Sequence, residues 1–227
     1  MKFLGFVPDM LHFLAENHLQ NSSVWFDEHR KDYERLVKEP SYRLIEAMLP
    51  EMLAFDDQIA QAPSRILSRV RRDTRFTKNK DLYRDHMWLM FKRPKQRIGS
   101  SLTIYFEITQ EGFGYGIGYY DTPRPVMEQI REMILHEDKA FLDAFAAVQD
   151  NPKFVLCGEQ YKRSRYPEAP EAYQPWLNLK NIVLSFESDD FECLFQGEFY
   201  DMMISDLKRI QPFYDFLRIA ESRLMHT

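Results

Sequence analysis

Apolar positions recur every three or four residues at both ends of the chain and every second residue in its middle. Pro8 and Asp9 open a first helix, because a missing amide and a negative charge both suit a helix start, and Leu11, Phe13, Leu14 and Leu19 give it an apolar side. Asn21, Ser22 and Ser23 interrupt it. A second helix follows with Asp27 and Glu28 in its first turn and Trp25, Phe26, His29, Tyr33, Leu36 and Val37 at helical spacing. It is predicted to stop at Pro40, with Ser41 capping a third helix along Leu44, Ile45, Met48, Leu49, Met52 and Leu53 that tolerates Pro50 near its end.

After Pro63 the period shortens. Residues 65–72, with Ile66 and Val70 on one parity and Leu67 on the other, predict a strand leading into a charged segment, and 86–92 predicts another. The clearest alternation runs from 102 to 120. Leu102, Ile104, Phe106 and Ile108 alternate with Thr103, Tyr105, Glu107 and Thr109, and Gln110-Glu111-Gly112 turns the chain into the second strand of a hairpin. In that strand Gly112, Gly114, Gly116 and Gly118 alternate with Phe113, Tyr115, Ile117 and Tyr119. A period of two places the four glycines on one side, a bare backbone strip that a packed aromatic, a neighbouring helix or a ligand must approach closely. It is not a dinucleotide loop, since no strand-turn-helix context frames it.

Pro123 and Pro125 open a helix through Val126, Ile130, Met133 and Ile134, and Phe141, Leu142, Phe145 and Val148 mark the next. Strand character returns at 153–157 and at 180–187, where Ile182, Leu184 and Phe186 share a parity. Two closing helices carry Phe199, Met202, Met203, Leu207 and Ile210, then, after Pro212, Phe213, Phe216, Leu217, Ala220 and Leu224. N-terminal helices, a central mainly antiparallel sheet and C-terminal helices make an α+β order, and a single domain over 1–227 is the simpler reading.

Composition narrows the class. At 227 residues, 44% hydrophobic and with only 8 Gly and 2 Cys, the chain is neither collagen-like, disulfide-rich nor disordered. Cys157 and Cys193 show no CxxC spacing and read as reduced, buried thiols. No apolar run approaches a membrane span, and Pro8, Asp9 and His12 interrupt the N-terminal apolar residues, so a cytoplasmic protein without membrane contact is expected. The six His show no metal-ligand spacing, no nucleophile motif is present, and neither a metal nor a cofactor is implied. The sequence names no reaction.

Charge changes the picture more. The net charge of −5 hides twelve Lys/Arg against Asp73, Asp81 and Asp85 within residues 65–97, leaving the rest of the chain at −14. The core of this element runs through Arg69, Arg71, Arg72, Asp73, Thr74, Arg75, Phe76, Thr77, Lys78, Asn79, Lys80, Tyr83, Arg84 and His86. Guanidinium forks and mobile ammonium charges suit carboxylate or phosphate, and an acid among them orients guanidinium groups. Candidate ligand-binding residues are therefore Arg69, Arg72, Asp73, Arg75, Lys78, Lys80, Tyr83, Arg84 and His86, joined by the smaller cluster Lys162 and Arg163. Asp73 would hold the Arg72 and Arg75 pair, and Tyr83 or His86 would be the proton-capable group. The competing reading is ion pairing with the seven acids and no cations of residues 187–206, within the fold or across a homodimer. In a further reading the element docks on a partner protein, with Phe76 as an apolar anchor. Nucleic acid is disfavoured, because the acidic remainder repels a long polyanion; a compact anion is preferred.

These residues also carry a resemblance. Phe3, Gly5, Phe6, Phe13-Leu14, Asn21, Trp25-Phe26, Arg30, Tyr33 and Pro40, then Ser68-Arg69-Val70 with Arg72 to Lys78, Lys80, Tyr83 and His86, then Gly118, Arg131, Lys162-Arg163 and Lys180, are similar to a widespread, mainly bacterial family of uncharacterised proteins, domain of unknown function 2461. Asn79 stands where that family usually has Asp, and Asp81-Leu82 replaces a Thr-Pro pair. The resemblance implies a shared single-domain fold, cytoplasmic residence and the Arg-Asp-Thr-Arg-Phe segment as the place to look for function.

Overall fold

The computed structural model describes residues 3–75, 77–94 and 98–224. Five strands, Met87–Phe91 (β1), Thr103–Ile108 (β2), Phe113–Gly118 (β3), Val155–Cys157 (β4) and Val183–Ser188 (β5), form one antiparallel sheet in the order β1-β2-β3-β5-β4. The chain is α+β, with helices Asp9–Gln20 (α1), Ser23–Glu28 (α2), Arg30–Tyr33 (α3), Glu39–Phe55 (α4) and Pro63–Ile66 (α5) before the sheet. Arg124–Leu135 (α6), Lys139–Gln149 (α7) and Gln174–Leu177 (α8) interrupt it, and Glu198–Arg209 (α9) and Gln211–Leu224 (α10) follow it.

Alternation sorts the sheet into two unlike faces. Met87, Leu89 and Phe91, Ile104, Phe106 and Ile108, Phe113, Tyr115 and Ile117, and Leu184 are all buried on one face. Phe6 stacks on Phe106, and Phe199 of α9 meets Phe106, Phe113 and Tyr115 edge-on or tilted. Burying each such side chain stabilises by about 1.5–3 kcal/mol, so this face is where the helices are held. Charge enters that interior only where it is partnered. The Tyr115 hydroxyl donates to Asp206 Oδ2 at 2.6 Å, with Lys153 on the same carboxylate, and Arg93 Nε and the Tyr214 hydroxyl donate to Asp56 Oδ2 at 2.6 and 2.9 Å. Arg131, 2% exposed, donates to the carbonyls of Leu177 and Leu179 at 3.2 and 2.5 Å and thereby fixes the turn before β5.

The opposite face carries Trp88 and Met90, Thr103, Tyr105 and Glu107, the glycines of β3, and Val183, Ser185 and Glu187. Two concavities on this face are lined by no residue of the helices α1–α10.

Several local expectations change. The helix does not stop at Pro40. Arg30–Tyr33 continues through a wide π turn, Glu34–Lys38, into α4, and Pro40 falls in the first turn of α4, where a missing amide is tolerated. Ser41 is accordingly not a cap. It is buried, and its hydroxyl donates to the Val37 carbonyl at 2.6 Å. Leu19 lies on the solvent side of α1, 82% exposed. Residues 63–66 form a helical turn rather than the start of a strand, and 67–72 pairs through isolated bridges at Leu67–Leu89 and Arg71–Tyr83. Cys157 and Cys193 are free thiols, half-buried rather than buried.

The glycine strip also has a definite neighbour. A Cβ at Gly114 would lie 2.9 Å from the Phe186 carbonyl oxygen, and Cβ atoms at Gly116 and Gly118 would collide with the carbonyls of Leu184 and Ile182. It is the backbone of β5 that approaches, and Gly118 adds a φ of +152° that only glycine readily adopts. Gly116→Ala is therefore expected to lower unfolding free energy by about 3 kcal/mol, as overpacking against unyielding backbone does. Gly99→Ala, where a Cβ meets nothing within 4 Å, is the matched control with a change of less than about 1 kcal/mol. Urea unfolding compares the two, and equal midpoints would refute the assignment.

Candidate functional site

The cationic element folds back on itself as an irregular hairpin at the outer edge of β1. Arg72 N donates to Leu82 O at 2.8 Å, Arg84 N to Val70 O at 3.0 Å and Ser68 N to Trp88 O at 2.9 Å, while the Ser68 hydroxyl accepts from Trp88 N at 3.0 Å. The helical layer pins its base. Leu82 N donates to Asn21 Oδ1 at 2.6 Å, from the left-handed residue that ends α1, and His18 Nδ1 donates to the Tyr83 carbonyl at 2.9 Å. Tyr83 itself is buried, its ring stacked on Phe26 at 5.0 Å, and burial raises its pKa. It belongs to the core and does not stand with the exposed cations.

The tip is tied by short-range bonds. Asp73 takes a bidentate pair from Arg75, at 2.9 and 2.7 Å, and these hydrogen bonds hold its carboxyl down at about 2. Its carboxylate oxygens are bonded to Arg75, and no hydrogen bond joins it to Arg72 among the described residues. Lys80 Nζ donates to the Thr74 carbonyl at 2.8 Å, Thr77 Oγ1 to the Asn79 carbonyl at 2.7 Å, and Asp81 N to Asn79 Oδ1 at 2.8 Å. Phe76 lies outside the described residues. Arg84 works across the hairpin, donating to the carbonyls of Arg69 at 2.7 Å and Arg71 at 3.1 Å, and its guanidinium carbon stands 4.8 Å from the Trp88 ring centre.

Arg84 and His86 both lie against the Trp88 ring, so the cationic element meets the open face of the sheet at Trp88. His86 stacks on Trp88 with centres 5.4 Å apart and shares a 2.7 Å hydrogen bond between its Nδ1 and Asp85 Oδ1. Partial burial pushes the Asp85 carboxyl up, but the hydrogen bond from His86 and the proximity of His86 and His18 outweigh it, and the group sits below its usual range. With Nδ1 so engaged, Nε2 is the His86 ring nitrogen without a hydrogen bond among the described residues. Gln110 Nε2 donates to the Asp85 carbonyl at 2.7 Å and locks this corner to the β2–β3 turn.

Lys162 and Arg163 stand apart. They lie exposed in the loop that follows β4, beyond the end where Cys157 pairs with Val183. β1 and β4 are the two outer strands, and the hairpin leaves β1 at the other end. Four strand spacings and five residues of rise separate these corners by about 25 Å, too far for one small ligand. The acids of 187–206 do not neutralise the hairpin either. Among the described residues none of them forms an ion pair with Arg69, Arg71, Arg72, Lys78 or Lys80; Asp206 is taken by Lys153 and Tyr115, and Asp190 accepts from Glu192 N.

Sequence reasoning missed Tyr105, Glu107, Ser185, Glu187 and Tyr120. The Tyr105 side chain crosses Gly116 from β2 to β5, its hydroxyl donating to Ser185 Oγ at 2.7 Å, and burial raises its pKa to about 12, so it stays a neutral donor. This bridge divides the open face. On one side Glu107, Glu111, Glu187 and Asp189 line an acidic groove of 580 Å³, and on the other Trp88, Met90, Thr103, Gly118, Tyr120 and Val183 line a mostly apolar groove of 400 Å³. Polar residues alternating with apolar ones through 103–109 were the available signal, since such a strand has one face away from the core.

A family model described as a conserved hypothetical protein, DUF2461, matches residues 9–216. The chain belongs to the DUF2461 family. No curated protein matches it. Within this DUF2461 chain the matched span holds the whole hairpin, the sheet and both grooves. Among the described residues no group of His, Cys, Asp and Glu could hold a metal ion, and no helix is long and apolar enough to cross a membrane.

Asp85 supplies a pH signature of this DUF2461 corner. A carboxyl held below its ordinary value of 3.8 contributes stability that is full above that value and lost as pH falls through the depressed one. The melting temperature of Asp85→Asn should therefore lie below wild type at about pH 5, and the gap should close as the pH falls below about 4. A gap independent of pH would show that the His86 hydrogen bond does not favour the ionised carboxylate.

Proposed function

We propose that this protein binds a small anionic ligand, phosphate- or carboxylate-bearing, on the side of the hairpin that meets the open sheet face. Arg72, Arg84 and His86 form the contact row, and Arg69, Asp73, Arg75, Lys78 and Lys80 form the cationic surround. The observation that carries this reading is a fixed hairpin backbone presenting Arg69, Arg72 and Lys78 without a side-chain partner among the described residues. The Arg84 guanidinium, held by the Arg69 and Arg71 carbonyls, loses little freedom on binding, and a hydrogen bond to a charged group adds about 1.5–3 kcal/mol. A compact anion suits the position. A long polyanion leaving the hairpin across the sheet would meet Glu107 and Glu187.

Inorganic phosphate is the first probe. Binding to the native state raises the melting temperature by mass action, equivalent to about 2.7 kcal/mol at a hundred times Kd. Phosphate should raise it, Arg72→Ala should remove most of the shift, and added sodium chloride should weaken it. Absence of any shift with phosphate, pyrophosphate and citrate would overturn the reading.

A second reading is favoured by the acidic groove, whose Glu107, Glu111, Glu187 and Asp189 form no ion pair among the described residues and complement the hairpin of a second copy. It predicts a doubled mass in light scattering at low salt that Arg72→Glu returns to the monomer value.

A further inference from the structure

The open sheet face is more apolar than the solvated side of an antiparallel sheet, which ordinarily carries the polar half of the alternation. Trp88, Met90, Tyr105, Val155 and Val183 share this side, Val155 with 60% of its surface exposed, and Tyr120 joins them where the chain leaves β3. The strand register orders the face from end to end. Trp88, Glu107, Gly114 and Glu187 lie at one level, and Thr103, Gly118 and Val183 lie two same-face steps away. Charge gathers at the first end: Arg84 and His86 stand against Trp88 at the β1 edge, while Glu111, Glu187 and Asp189 stand on the side of β3 and β5. At the other end the groove is lined by Thr103, Gly118, Tyr120 and Val183, none of them charged.

We infer that this face is a homodimer interface, in which two copies pack face to face about a twofold axis running along the strands. It rests on the second reading above, the hairpin of one copy against the acidic groove of another, and adds the axis and the apolar half of the contact. A twofold that joins two sheet faces lies in the plane between them, and its limiting directions are along the strands or across them. Across them, it would set the charged end of each copy on the apolar end of the other and bury Glu107 and Glu187 unpaired against Tyr120 and Val183, which is costly. Along them, like ends meet and the edges exchange. Arg84 and His86 of one copy then face Glu187 and Asp189 of the second copy, twice by symmetry, and these carboxylates stand where the first reading places a free anion. An axis centred between β2 and β3 sets β1 over β5 and Glu107 over the bare Gly114, so at that level no acid faces an acid. Aligned strands are the ordinary geometry of packed sheets. Five strands and six residues make a face of about 24 by 20 Å, and two such faces remove on the order of 1,000 Å² from water, the lower limit of a specific interface, so the dimer is reversible.

Light scattering of the full chain over a concentration series at low salt should show this dimer, and Arg72→Glu should dissolve it. Tyr120→Glu, at a position 84% exposed, sets two carboxylates against each other near the axis and should raise the dissociation constant at least about tenfold. The axis is read by cross-linking. With the free thiols replaced (Cys157→Ser, Cys193→Ser), Glu111→Cys and Tyr120→Cys put one thiol at each end of the β2–β3 hairpin on this face. Packed sheets lie about 10 Å apart, so with a short bis-maleimide each variant alone should give a covalent dimer. An axis across the strands would instead join Glu111→Cys only to Tyr120→Cys, in a mixture of the two. A dimer that Arg72→Glu dissolves, but in which either thiol fails to link to its own copy or Tyr120→Glu changes nothing, overturns the face-to-face assignment and leaves the second reading standing. A chain that stays monomeric throughout, or a dimer that Arg72→Glu leaves intact, overturns both.

Discussion

The close approach of the β3 and β5 backbones governs the rest of the structure. Gly114, Gly116 and Gly118 sit where any Cβ would press on the carbonyls of Phe186, Leu184 and Ile182, so one face of β3 must be bare. The other face is free of that restriction and carries Phe113, Tyr115 and Ile117 into the core. Relief on the open side is then supplied by the neighbouring strands. Tyr105 spans Gly116 and covers exposed backbone with its ring, as an aromatic opposite a glycine commonly does, and its bond to Ser185 turns one trough into two. The grooves differ in chemistry because each end of the sheet supplies different residues: Met90 and Val183 at one end, Glu107 and Glu187 at the other.

The hairpin solves a different problem, that of holding many like charges in a defined shape with few acids among them. Two unit charges about 8 Å apart in water repel by only about 0.5 kcal/mol, and salt screens them further. Such costs are smaller than the hairpin's backbone ladder and its anchors at Asn21, His18 and the buried Tyr83 ring can offset. Two members of the cluster act as framework. Arg84 stitches the hairpin through the carbonyls of Arg69 and Arg71, and Asp73 is consumed by Arg75. What looks uniform as a run of cations therefore contains side chains that build the hairpin, side chains that it presents, and Arg84, whose Nη1 stitches the hairpin while its guanidinium lies over Trp88.

Much of the fold was legible because it rests on periodicity. The hairpin of β2 and β3, the parity of Ile182, Leu184 and Phe186, and the helices α6, α7, α9 and α10 follow directly from apolar spacing. Pro40 misled because a π turn is invisible to a 3.6-residue period, and the wider turn absorbs what an ordinary helix would not. The site was half legible. Charge density marked the hairpin, but spacing could not show that Tyr83 points inward, that Lys162 and Arg163 lie at the far corner, or that Trp88 and Tyr120 flank a groove. Those depend on strand order, and the position of β5 between β3 and β4 is decided by packing across the intervening residues 119–182.

The end of the sheet that bears the cations also bears the free acids, and their juxtaposition limits what a bound anion could be. Glu107 lies on the strand next to His86 and shares its face, and burial, together with Glu187, raises its carboxyl while His86 opposes the rise. A negatively charged group placed at the β1 edge gains the nearby guanidinium groups. Moved one or two strands inward, the same group would face Glu107 and then Glu187, at distances where the medium is no longer pure water and each repulsion grows beyond the half-kilocalorie scale of the exposed hairpin. The gradient across three strands thus favours a single compact anion at the sheet's edge, while the apolar groove of Met90, Gly118, Tyr120 and Val183 opens toward the opposite end of the strands.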